Sequence, residues 1–65
     1  MNVYYIYTDS KSQEIEAKNI KQALKAWGEA PPSVTTPAKF EAWLKKSGGY
    51  GVIHENGVQI ARVAA

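Results

Sequence analysis

The sequence predicts an α+β domain of element order β-β-α-α-β-β: an antiparallel four-stranded sheet with two short helices packed on one face. Three observations lead there. Residues 50–63 hold two β-rich runs on either side of Asn56-Gly57, the residue pair that best tolerates the positive φ angles of a type I′ hairpin turn. Residues 2–8 combine Val, Ile, Thr and three Tyr, and Gln13-Glu14-Ile15-Glu16-Ala17 alternates polar and apolar side chains; these are strand patterns. Between the two hairpins lie two segments whose apolar residues recur at helical spacing.

Asp9-Ser10-Lys11-Ser12 has turn chemistry and joins the first two strands. If these residues form the loop, Thr8 faces Gln13, Ile6 faces Ile15 and Tyr4 faces Ala17, which puts those apolar side chains on the core face. Val3, Tyr5 and Tyr7 then lie on the opposite face beside Glu14 and Glu16, because side chains alternate along a strand. Asn19, with Gln22 three residues later, resembles a capping box. Behind it Ile20, Ala23, Leu24 and Trp27 share one face of a short helix that Gly28 ends.

Ala30-Pro31-Pro32-Ser33-Val34-Thr35 is a stiff connector, since successive prolines remove amide donors and fix φ. Thr36-Pro37 supplies N-cap and N1 residue types for a second helix. Its apolar face is Phe40, Trp43 and Leu44, and it runs to about Ser47 before Gly48. In the last hairpin a two-residue Asn56-Gly57 loop pairs Glu55 with Val58 and Ile53 with Ile60. Ile53, Val58 and Ile60 then point inward, and Tyr50, Val52, His54, Gln59, Ala61 and Val63 outward. A three-residue loop with Gly57 as a bulge would change the pairing and could reverse these faces.

Sixty-five residues make one domain, 1–65, too small to be more than marginally stable on its core alone. The absence of cysteine excludes disulfides and thiolate metal sites. A hydrophobic fraction of 45% belongs to a folded chain. No apolar run approaches the ~20 residues of a membrane span, and the chain passes from Met1-Asn2 straight into a strand without a basic leader. The expectation is a cytoplasmic protein without membrane contact. A net charge of +2 selects no partner by itself.

Two helices cover one side of a four-stranded sheet and leave the other bare. The expected bare face carries Tyr5, Tyr7, Tyr50, Val52 and Val63, with Val3 and Ala61 beside them, an apolar patch of the kind that marks a protein interface. The partner is another protein or a second copy of this chain in a homodimer. A less favoured surface is the lysine-bearing side of the helices, Lys18, Lys21, Lys25, Lys45 and Lys46, which suits phosphates of a nucleic acid. Helix-dipole complementation by Lys45 and Lys46 and an i, i+4 pair of Glu41 with Lys45 account for part of that charge without a ligand.

No catalytic, cofactor or metal site is expected. Gly48-Gly49-Tyr50-Gly51 follows a helix and opens a strand, the reverse of a phosphate loop. His54 is the only histidine and has no second ligand at metal-binding spacing. Ser10, Ser12, Ser33 and Ser47 have no base nearby in sequence, and Glu14 and Glu16 read as a solvated strand face. A short, cysteine-free β-β-α-α-β-β chain is similar in general style to small proteins encoded by phages and other mobile elements. That similarity implies a non-enzymatic inhibitor or modulator of a host protein.

Overall fold

In the computed structural model, which describes residues 1–65, the chain runs β1 (Asn2–Thr8), β2 (Ser12–Ala17), α1 (Ile20–Trp27), α2 (Pro37–Ser47), β3 (Gly51–Glu55) and β4 (Val58–Val63). All strand pairings are antiparallel and the order across the sheet is β2-β1-β3-β4, so β1 and β3 join the two hairpins at the centre. The expected α+β fold is therefore the observed one. Both helices lie on one face, α1 over β2 and β1 and α2 over β4.

The first hairpin pairs Tyr7 with Ser12, Tyr5 with Glu14, Tyr4 with Ile15 and Val3 with Glu16, two residues out from the expected register. Thr8 is the cause. Its amide donates to the Lys11 carbonyl at 3.1 Å, and its Oγ1 accepts from the Ser10 and Lys11 amides at 3.3 and 3.2 Å, which closes the turn earlier. A slip of two preserves side-chain parity. Tyr4, Ile6, Ile15 and Ala17 are accordingly buried, as the pattern requires.

Both helices start and stop where their caps dictate. The Asn19 side chain accepts from the Gln22 amide at 2.9 Å, and Thr36 Oγ1 from the Lys39 amide at 3.2 Å. Gly28 and Gly48 close the C-termini. The Lys11 ammonium also donates to the last α1 carbonyl, on Trp27, at 3.2 Å. Trp27, Phe40 and Trp43 meet with ring centroids 6.1 Å apart and clamp the two helices together. The connector contributes Val34, which is buried and whose amide donates to Pro31 at 3.0 Å.

The second hairpin departs from expectation midway along its strands. Asn56 (φ 51°) and Gly57 (φ 84°) form the two-residue turn, and Glu55 pairs with Val58 and His54 with Gln59. Ile53 then pairs with Ala61, leaving Ile60 as the extra residue of a β-bulge. One inserted residue reverses every side chain beyond it. Ala61, expected outward, is 3% exposed in the core, and Val63, expected on the bare face, is half-buried against that core. Val58, expected inward, sits at the hairpin tip 65% exposed, and Ile60 is only half-buried. Arg62 takes the outward position opposite Val52.

Asn56 also extends the central pairing. Its amide donates to the Val3 carbonyl at 2.7 Å and its Oδ1 accepts from the Val3 amide at 2.9 Å. Gly51 is needed for a different reason: a Cβ there would stand 2.5 Å from the Tyr7 carbonyl oxygen and 3.1 Å from Leu44 Cδ1. Leu44 seals the core only because that position is empty. The buried Tyr4 hydroxyl donates to Glu55 Oε2 at 2.5 Å. Burial, reinforced by that carboxylate, raises the Tyr4 pKa above its ordinary value. Gln13 Oε1 and Trp27 Nε1 are buried without a hydrogen-bond partner.

Candidate interaction face

The helix-free side of the sheet is organised in rows set by the two registers. One row reads Ser12, Tyr7, Val52, Arg62 across β2, β1, β3 and β4. The next reads Glu14, Tyr5, His54, Gln59, and a third begins Glu16, Val3. The middle of the face is thus aromatic and aliphatic, the β2 side acidic, and the β4 side cationic through Arg62.

Val3, Tyr5 and Tyr7 are 40%, 40% and 38% exposed. Tyr5 and His54 lie with ring centroids 6.5 Å apart, and Tyr7 and Tyr50 with theirs 6.3 Å apart, both pairs tilted. These contacts fall within the range of favourable aromatic geometry and hold the rings in place without hiding them. Tyr50 enters the face from just before β3, where its carbonyl accepts from the Asp9 amide at 3.3 Å. Its hydroxyl titrates above the ordinary phenol value, first because of negative charge on the adjacent Tyr7 and then through desolvation. Beside this pair lies a shallow hollow of about 220 Å³ bordered by Tyr7, Tyr50, Val52, Arg62 and Ala64.

Four of the five residues expected to form the bare face therefore do share it: Tyr5, Tyr7, Tyr50 and Val52. The bulge turns Val63 towards the core, leaving it only as part of the wall of the hollow beside Tyr50, and Arg62 takes the outward position. Arg62 was not legible as an outward residue because strict alternation from the turn assigns it the opposite parity. The Ile-Ala-Arg-Val run carries no glycine or other local mark of a bulge.

The sheet edges differ from the face. At β4 the Arg62 amide, which would otherwise point to a further strand, donates to Glu41 Oε2 of α2 at 2.8 Å. At β2 the outward residues are Glu14 and Glu16, which repel a second copy of the same edge. One amide of the β4 edge is thus occupied and the acidic β2 edge disfavours pairing with its own copy, while the flat surface stays open.

On the far side, Lys18, Lys21, Lys25, Lys45 and Lys46 are all exposed, and Lys39, which sequence reasoning passed over, joins them. The connector runs between two grooves. One, about 350 Å³, is lined by Lys21, Leu24, Lys25, Pro31 and Val34. The other, about 410 Å³, is lined by Pro31, Val34, Lys39, Trp43 and Lys46. No three His, Asp or Glu side chains converge as a metal site would require, and no helix is long and apolar enough to cross a membrane.

No protein-family model matches the chain, and no match to it was found among curated proteins or solved structures.

Proposed function

We propose that this protein is a non-enzymatic protein-binding module that works through the helix-free face of its sheet. The observation that carries the reading is the uncovered strip formed by Val3, Tyr5, Tyr7, Tyr50, Val52 and His54. Three rows across four strands span roughly 400 Å² in projection, of which this apolar strip on the two central strands is about half, close to the few-hundred-Å² scale at which an exposed apolar patch is often functional. Tyrosine suits this role: it offers wide apolar contact, a hydroxyl for hydrogen bonding and few rotamers to freeze. A chain of this kind acts by covering a surface of another protein, as a small inhibitor or modulator encoded by a phage or other mobile element would.

A photo-crosslinking side chain placed at Tyr7 is expected to give discrete adducts with protein, and one placed at Lys21 none. Adducts from position 21 alone would overturn the reading. A second reading rests on the exposed lysines around the two connector grooves, which offer phosphates of DNA or RNA a cationic surface. It requires binding that falls steeply with salt and is lost in Lys21→Glu with Lys25→Glu. The acidic Glu14 and Glu16 border makes the tyrosine face itself a poor nucleic-acid platform.

A further inference from the structure

The charge layout of the tyrosine face fits one occupant in particular. We infer that a second copy of this chain packs on it face to face, with a two-fold axis running along the strands between β1 and β3. This rests on the reading of the face as a protein interface and names the partner.

For sheets packed with their strands aligned, the in-plane two-fold axis runs either across the strands or along them. An axis across the strands lays β2 on β2 and opposes Glu14 and Glu16 to their own copies. An axis along the strands lays β2 on β4, so Arg62 of each copy stands over Ser12 of the other, one row from Glu14. A row is ~6.8 Å, within the reach of an extended arginine side chain, and sheets pack ~10 Å apart. Each dimer then gains two equivalent Arg62–Glu14 contacts at opposite borders, as an isologous interface demands. Near the axis, Tyr7 of each copy falls over Val52 of the other, at the hollow bordered by Tyr50 and Arg62. The bulge at Ile60 is what makes this possible, because without it Arg62 would face the core.

Alternative modes of self-association are disfavoured by the same residues. Edge pairing at β4 competes with Glu41 for the Arg62 amide, and edge pairing at β2 stacks glutamates. The area covered, about 800 Å² over both copies in projection, is below the ~1,200 Å² of stable complexes, so the dimer is a weak, concentration-dependent one.

The test is light scattering behind size exclusion over a concentration series. The wild-type mass should rise from one chain towards two. Arg62→Glu and Glu14→Arg alone should each weaken association at least ~10-fold, because each sets like charges together at both borders. An equimolar mixture of the two variants should recover it, since every border contact in the mixed dimer is again between opposite charges. Both positions are exposed, and circular dichroism checks that the variants fold; if Glu14→Arg does not fold, Glu14→Lys takes its place. Wild-type association that is indifferent to Arg62→Glu, or a mixture that stays monomeric, overturns this arrangement. A wild type that stays monomeric to ~1 mM chain, where even a weak complex worth about 4 kcal/mol would form, overturns the second copy as partner. Crosslinks from Tyr7 to a different protein would in that case leave the broader reading standing.

Discussion

The two faces of the sheet have nearly the same residue classes and opposite tasks. The helix-side face presents Tyr4, Ile6, Ile15 and Ile53, and the open face presents Val3, Tyr5, Tyr7 and Val52. A tyrosine stands on each. Tyr4 is fully buried and its hydroxyl donates to Glu55, whereas Tyr5 and Tyr7 are each more than a third exposed. The difference comes from the helices, because amphipathic segments with aromatic faces can lie on only one side. An apolar side chain in a strand is thus either core or contact surface depending on what stands above it, and substitutions on the two faces should separate into loss of folding and loss of binding.

The largest expected effects are on the core face, beginning where β3 starts under α2. Gly51→Val should abolish cooperative unfolding, since its Cβ alone would collide with the Tyr7 carbonyl at 2.5 Å and Thr8 Cγ2 at 2.9 Å in the central ladder. Phe40→Ala removes one ring of the aromatic clamp and should cost about 3–5 kcal/mol in urea denaturation. For a domain this small that is most of the available stability.

Smaller effects belong to the helix starts and to pH. Thr36→Ala and Asn19→Ala should each cost about 1 kcal/mol, by removing the acceptors for the Lys39 and Gln22 amides. Tyr4 titrates higher folded than unfolded, so above the ordinary phenol pKa of ~10 the folded state holds a proton that the unfolded chain has lost. Stability therefore falls as pH rises through that range, and Tyr4→Phe should flatten the fall in alkaline thermal melts.

The contrast between the hairpins explains how much of this could be read beforehand. Element order, both caps, both helix stops and the Asn56-Gly57 turn follow from local chemistry, so each is visible in a few residues. The first hairpin's register was missed by two positions because Thr8 reaches into the turn, yet an even slip leaves Tyr4 and Ile6 inward and Tyr5 and Tyr7 outward. The second hairpin has the expected turn, and its faces still change at Ile60, because a bulge shifts parity by one. Its cause is tertiary: α2 packs on β4, Ala61 lies in the core and Glu41 takes the Arg62 amide. None of that is encoded near residue 60. The candidate site was legible on β1 and β3, and illegible on β4 for this reason.

The measurement that tests the account most directly is urea denaturation of Tyr5→Ser with Tyr7→Ser, paired with association and crosslinking assays on the same protein. On open strand positions the pair should lower stability by no more than about 1–2 kcal/mol, the span of β-propensity at two sites, while association and partner adducts disappear. Collapse of the fold, or binding that survives unchanged, would contradict a face kept open for contact.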